Sequence, residues 1–271
     1  YIQTNKNLPS AIHREPSAHK GNIGKVVVIG GNKGYPGAIR MSGEAALRCG
    51  ASLVAVSCHV ENQSLIFSTR PELMIAKSEP IELSESEFLK GAKALVIGPG
   101  LGRDNWAKTH FEQILSQNKP MVIDADALYF LAESNQKRTN WVLTPHPGEA
   151  ARLLNCTVAD IEKDRFKAVK AIAIQYGGVC VLKGAGTLIS NGKTTWINTS
   201  GNAGMATGGM GDVLSGIIVA LICQKNDIFD AVRLAVYIHG ESADKLADKY
   251  GKVGLLASDL FDELRLLVNR Q

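Results

Sequence analysis

Short, unbroken apolar runs rich in valine and isoleucine recur along the chain, and helical stretches separate them. Lys25-Val-Val-Val-Ile-Gly30 is followed by the helical stretch Ala38–Cys49. Ser52–Ser57, Ala94–Ile97, Met121–Asp124, Trp141–Leu143 and Val179–Lys183 repeat the strand-like pattern. Asn105–Ser116, Gly148–Asn155 and Asp160–Tyr176 carry helical patterns between several of them. Runs without polar alternation belong to strands buried on both faces. Strands of that kind alternating with helices predict an α/β fold with a mostly parallel central sheet and helices on both faces. Two apolar runs flank Asn191-Gly192 within Thr187–Ile197, which predicts an edge β-hairpin with a type I′ turn. Val213–Gln224 is apolar on nearly all sides and reads as a central buried helix. Phe229–Tyr250 and Ala257–Asn269 read as two closing helices. No linker or repeat divides the chain, so residues 1–22 are read as a polar leader and 23–271 as one domain.

Composition excludes several classes of function. The net charge of +4 contains no basic block that argues for nucleic acid. Five cysteines without a CxxC pair exclude a zinc ribbon and point to buried free thiols. No apolar run is long enough to span a bilayer and residues 1–22 lack a signal-peptide core, so a cytoplasmic protein without membrane partners is expected. The first residue is Tyr1, which leaves open a longer parent chain.

Glycine is the compositional outlier, 27 of 271 residues, and it clusters. Gly30–Gly37 and Gly98–Gly102 each follow a strand, and Gly204–Gly211 precedes the central helix. Each cluster alone fits a tight turn; gathered at the carboxyl ends of parallel strands they make a binding crevice. The spacing of Gly98-Pro-Gly100-Leu-Gly102 fails the dinucleotide fingerprint, and Gly186 to Thr194 fails the Walker loop by one residue.

Gly208-Gly209-Met210-Gly211-Asp212 is the sharpest local signal. Helix-start N–H groups carry partial positive charge, and glycines admit a phosphate to them. An aspartate there can take a proton from an attacking hydroxyl, though Asp is also a favoured N-cap. His146, held between Pro145 and Pro147, offers a fixed ring at a strand end or a plain loop histidine. Glu149 is equally a partner for the first-turn dipole. Asp124 and Asp126 can orient Mg²⁺ through water or cap a helix. Lys183 can balance phosphate charge or be merely solvated. His13, His19, His59, His110 and His239 show no metal spacing and read as structural or solvated.

Taken together, GGNKGYPGAIRMSGEAALRCGA (Gly30–Ala51), GPGLG (Gly98–Gly102), VIDADAL (Val122–Leu128), LTPHPGE (Leu143–Glu149), LKGAGT (Leu182–Thr187) and NAGMATGGMGD (Asn202–Asp212) closely resemble the bacterial ADP-dependent NAD(P)HX dehydratases of the ribokinase-like superfamily. The resemblance runs from about His19 to the C-terminus in unchanged order. It implies a three-layer ribokinase-like fold and a repair lyase that returns the hydrated nucleotides NADHX and NADPHX to NADH and NADPH. ADP would be the co-substrate, becoming AMP and phosphate, with Mg²⁺ present. It implies that Ala38, Gly102, His146 and Asp212 contact the hydrated nucleotide. Lys183, Gly184, Ala185, Gly186, Thr187 and Gly211 would contact the adenine nucleotide. Asp212 would be the catalytic base, with Gly209, Met210 and Gly211 as anion hole. It further implies a homotetramer, and fusion to or cooperation with an NAD(P)HX epimerase. A kinase of the same superfamily acting on a vitamin-precursor alcohol is the competing enzyme reading, distinguished by a stable phosphorylated product. A nucleotide sensor without turnover is the non-enzymatic one, and the intact GxGD argues against it.

Overall fold

The computed structural model describes residues 1–9, 12, 14–19, 23–134, 136–225 and 227–270; His13 and the leader boundary at residues 20–22 lie outside the described residues. The apolar runs become strands β2 (Lys25–Ile29), β3 (Leu53–Ser57), β5 (Ala94–Ile97), β6 (Met121–Ile123), β7 (Trp141–Leu143), β8 (Val179–Leu182), β9 (Leu188–Ser190) and β10 (Thr195–Asn198), and two short strands outside those runs, β1 (Ile2–Gln3) and β4 (Met74–Ile75), join them. Among the described residues they form one sheet in the order β1-β10-β9-β8-β7-β6-β5-β2-β3-β4. All neighbours pair in parallel except β8–β9 and β9–β10.

Alternate residues of each strand feed opposite cores, because side chains on a strand alternate faces. Val26, Val28, Val54, Val56, Val96 and Val122 face α1 (Pro36–Arg48), the central helix Met210–Ile222, and the two C-terminal helices Ile228–Tyr250 and Leu260–Val268. Val27, Ile29, Leu95, Ile97, Ile123 and Leu143 face the helices of the other side. Helix α2 (Gln63–Thr69) belongs to the first side, where its buried Ile66 packs with α1; on the other side are α3 (Pro80–Glu85), α4 (Glu87–Lys90), α5 (Asn105–Leu115), α6 (Asp126–Ala132), α7 (Pro147–Leu153), α8 (Val158–Lys163) and α9 (Arg165–Tyr176). The result is the expected three-layer α/β arrangement.

The helices Met210–Ile222, Ile228–Tyr250 and Leu260–Val268 are α10, α11 and α12. Eleven of the thirteen residues of α10 are buried, so its all-round apolar surface is covered by the sheet, α1 and α11. Fully burying each such aliphatic side chain contributes roughly 1.5–3 kcal/mol. None of the described helices is long and apolar enough to cross a membrane.

Four local expectations are corrected. The hairpin forms, but Asn191-Gly192 is not a two-residue type I′ turn. Ser190 pairs with Thr195, leaving a four-residue loop, and only Gly192 has positive φ (84°). The Asn191 side chain accepts from the Lys193 and Thr194 amides and closes that loop. Nor is the hairpin the sheet edge: Ile2–Gln3, inside the stretch read as a polar leader, pairs with Ile197–Asn198. Tyr1 stacks on Trp196 with ring centroids 5.0 Å apart. The single helix expected over Asp160–Tyr176 divides at Asp164, whose side chain caps the second half by accepting from the Lys167 amide. The central helix begins at Met210, three residues before the expected Val213. Of the cysteines, four are buried free thiols and Cys156 is exposed.

Candidate active site

The carboxyl ends of the parallel strands carry the chemistry. Behind β2 and β5 the first two glycine clusters are laced together: Gly31 N–H donates to Pro99 O at 2.8 Å and Asn32 N–H to Gly100 O at 2.8 Å. Ala38, in the first turn of α1, lies against this loop; a Cβ on Gly100 would sit 3.2 Å from its methyl carbon. Asp126 ties down the loop's far end by accepting from Gly102 N–H at 2.9 Å and from Arg103 Nε at 3.1 Å.

Next to this rim a charged centre forms where β6 and β8 end. Lys183 Nζ donates to Asp124 Oδ1 at 3.0 Å and lies 3.7 Å from Glu149 Oε2. Asp124 is buried, and its second oxygen accepts from the Ser215 hydroxyl at 3.1 Å. Burial works against the Lys183 ammonium, but Asp124, Glu149 and Asp212 outweigh it and hold its pKa above the ordinary value. Asp212 is pushed up to about 7 by burial and by the Asp124 charge, with Lys183 pulling the other way. Burial raises Glu149 as well, against the pull of Lys183. One cation is thus shared among three carboxyl groups, two of which have a proton within easy reach near neutral pH.

Two helices point their N-termini at this centre. The first is α7, whose start is closed: His146 Nδ1 accepts from the Gly148 and Glu149 amides at 3.0 and 3.3 Å. Glu149 reaches back to His146 N–H at 2.7 Å, completing a capping box. Because Nδ1 accepts, the neutral ring carries its proton on Nε2. Burial and then Lys183 lower its pKa, favouring that neutral form. The second is α10, whose start is open. Its N-cap is Gly209 at φ 90°, with no side-chain cap. A side chain there would strain the backbone, and its Cβ would lie 2.6 Å from the Met41 sulfur. Asp212 is therefore not the capping residue; it is the third residue of the helix. Gly211 stands beside the cation: a Cβ on it would be 3.4 Å from Lys183 Nζ.

A cleft of about 960 Å³ opens from this point between the hairpin, the segment Asn198–Thr207 and α11. Lys183, Gly184, Ala185, Gly186, Thr187 and Gly211 all line it, as do His146 and Met210. Ala38 and Gly102 do not; they belong to the neighbouring β2–β5 rim, and Asp212 stands at the start of α10 beside Gly211. Two contributors escaped sequence reasoning. Ser215 holds Asp124, and its spacing of four from Gly211 on a helix was the available signal. His239, read as structural or solvated, is 7% exposed and lines the cleft.

The acids read as magnesium candidates are otherwise engaged. Asp124 carries Lys183 and Ser215, and Asp126 carries Gly102 and Arg103. Among the described residues no group of three His, Cys, Asp or Glu side chains converges as a metal cage. The described side chains therefore offer no direct three-ligand cage, and a cation here would be reached by Asp124 or Asp126 only through water.

An open helix start, a lysine and a high-pKa carboxylate at the carboxyl ends of parallel strands suit a phosphate-bearing ligand, and the α/β fold that carries them is ribokinase-like. The model of a family described as NAD(P)H-hydrate dehydratase matches residues 26–266. The chain is 36% identical over 281 residues to the ADP-dependent (S)-NAD(P)H-hydrate dehydratase of Neisseria meningitidis serogroup B, covering 99% of this chain and 93% of that one. It is 51% identical over 257 residues to the bifunctional NAD(P)H-hydrate repair enzyme Nnr of Escherichia coli K12, covering 94% of this chain and 50% of that one. A solved structure of the ADP/ATP-dependent NAD(P)H-hydrate dehydratase of Bacillus subtilis, co-crystallized with ATP/Mg²⁺, superposes with a TM-score of 0.85 at 31% identity, covering 94% and 92% of the two chains. The chain belongs to the NAD(P)H-hydrate dehydratase family. It spans about half the length of the bifunctional relatives it matches.

Proposed function

We propose that this chain is the dehydratase of a nicotinamide-nucleotide repair system, removing water from (S)-NADHX and (S)-NADPHX with ADP as phosphoryl donor. The supporting observation is Asp212: a carboxylate with its pKa near 7, beside Lys183 and an uncapped helix start, suits a base that must accept a proton at neutral pH. Gly209, Met210 and Gly211 form the anion hole for the transferring phosphoryl group, and Lys183 balances its charge. Lys183 to Thr187 and Gly211 hold the adenine nucleotide. Ala38, Gly102, His146 and Asp212 hold the hydrated ring and its nucleotide.

Asp212 takes the ring hydroxyl's proton as that oxygen attacks the terminal phosphorus of ADP. The P–O bond to AMP breaks, and AMP leaves with the bonding pair. The hydrate now bears phosphate in place of hydroxyl, a much better leaving group. The ring nitrogen lone pair expels it, and loss of the neighbouring carbon's proton restores the reduced nicotinamide. Mg²⁺ belongs to the proposal only as the phosphates' counter-ion, and no step is assigned to it. A cytoplasmic homotetramer, with an epimerase for the same hydrate in the same polypeptide or acting alongside it, completes the proposal. The approximately double length of the bifunctional relatives supports the fused form.

The test is recovery of reduced-nicotinamide absorbance from purified hydrated NADH, with ADP or ATP supplied in turn. Recovery with ADP supports the proposal. Recovery with ATP alone overturns the donor. Folded protein that binds nucleotide yet restores nothing, and instead phosphorylates an alcohol stably, overturns the reaction.

A further inference from the structure

Five arginines gather at the far ends of the two helices that start beside the charged centre. A second cavity, of about 740 Å³, is lined by Arg14, Arg48, Arg70, Arg265 and Arg270. Helix α1 starts at the glycine rim and ends here at Cys49; α10 starts at Gly209 and delivers Gln224 to the same wall. Each helix has thirteen residues, which span about 20 Å, so this cavity is separate from the catalytic cleft.

Carboxylates are scarce on its walls: among the described residues only Glu44 and Glu72 line it. The buried Glu44 serves three guanidiniums at once, Arg40 at 3.1 Å, Arg48 at 3.8 Å and Arg70 in close contact. Glu72 lies 3.7 Å from Arg70. The Arg48 guanidinium otherwise reaches only Asp262, at 3.6 Å, and makes no hydrogen bond among the described residues, although its side chain is just 27% exposed. Arg270 is 3.9 Å from Glu241, which is not on the wall, and Arg265 has no carboxylate within reach among the described residues. The carbonyl ends of α1 and α10 do attract cations, and Arg14 donates to Gly50 O there at 2.8 Å. Two such ends offset about one unit charge, so an excess of positive charge remains. A concave wall focuses that charge, and guanidinium forks match phosphate oxygens. The volume falls in the range of pockets that take small ligands.

We propose that this cavity is a second ligand site and binds a phosphate-bearing small-molecule anion. The proposal does not rest on the dehydration reaction.

Titration calorimetry on the full chain tests it, with inorganic phosphate, pyrophosphate and ADP as the probes. The proteins are wild type, Arg265→Gln, Arg265→Glu and Lys183→Ala. Salt near 0.15 M keeps the two ends electrostatically apart, since its screening length is about 8 Å. Wild type should bind at least one probe in a component that weakens about tenfold in Arg265→Gln, the scale of one lost charge-assisted contact, and further in Arg265→Glu. That component should survive in Lys183→Ala, which impairs the cleft instead. The tightest probe names the ligand: phosphate a single phosphoryl anion, pyrophosphate a diphosphate, ADP a nucleotide. Binding that a folded Arg265→Glu protein leaves unchanged overturns the proposal. So does wild type that binds none of the probes, or binding whose every component disappears in a folded Lys183→Ala protein, since all of it would then belong to the cleft.

Discussion

Helices α7 and α10 aim their first turns at the same charged centre, yet they are finished in opposite ways. The start of α7 is satisfied by its own residues, His146 accepting from two amides and Glu149 returning the bond. The start of α10 is left open by Gly209, which has no side chain to offer and whose φ of 90° discourages one. Capping stabilises a helix by about 1 kcal/mol. The α10 terminus forgoes that gain at the place where an anion would need free N–H groups. The difference separates a helix end closed by its own side chains from one whose amides are left open.

The largest expected effect follows from Asp212, which only the open end carries. Asp212→Asn should lower turnover by roughly 10²–10⁴-fold with nucleotide affinity nearly unchanged. Steady-state kinetics beside calorimetry separates the two, and unchanged turnover would remove Asp212 from the mechanism. Lys183→Ala comes next. It leaves Asp124, Glu149 and Asp212 without their shared cation, so both ADP affinity and melting temperature should fall, the affinity by about tenfold or more. An unchanged dissociation constant would refute its charge-balancing role.

The protonation of Asp212 sharpens the comparison further. As a base it must be unprotonated, so kcat/KM should rise about tenfold per pH unit below its pKa of about 7 and level off above. Stability should run the other way. The folded pKa exceeds the unfolded carboxylate value of about 3.9, so the native state binds the extra proton between about pH 4 and 7. Its stabilisation is full below that window and lost as pH rises through about 7. Asp212→Asn should therefore melt higher than wild type at pH 8. An equal or lower melting point would deny that the carboxylate is held at a cost. The smallest effect belongs to the closed end: His146→Ala should cost about 1 kcal/mol in denaturant unfolding through the lost cap.

Much of this was legible in the amino-acid order. The valine-rich runs place β2, β3, β5, β6, β7 and β8 correctly because strands buried on both faces need no polar alternation. The LKGAGT segment and Gly211 do meet at one cleft, since the glycines mark where strands end and a helix begins. What was hidden depends on contacts far apart in sequence. Ile2–Gln3 is too short to carry a pattern and forms a strand only because β10 is there to pair with it. The Asp124–Lys183 pair joins residues 59 apart, and no local rule turns a suspected metal ligand into a counter-ion. His239 sits on an ordinary helix pattern, and its burial against Met210 follows only from how α10 and α11 cross. The α7 capping box was the exception: His146 and Glu149 show its spacing, but histidine is an uncommon cap.

The most direct test follows the products of one turnover. Hydrated NADH, ADP and the full chain should yield one AMP and one phosphate for each reduced nicotinamide recovered, and Asp212→Asn, still binding ADP, should yield almost none of the three. Full recovery by Asp212→Asn, or dehydration without nucleotide cleavage, would contradict an account in which the open end of α10 and its aspartate drive the loss of water.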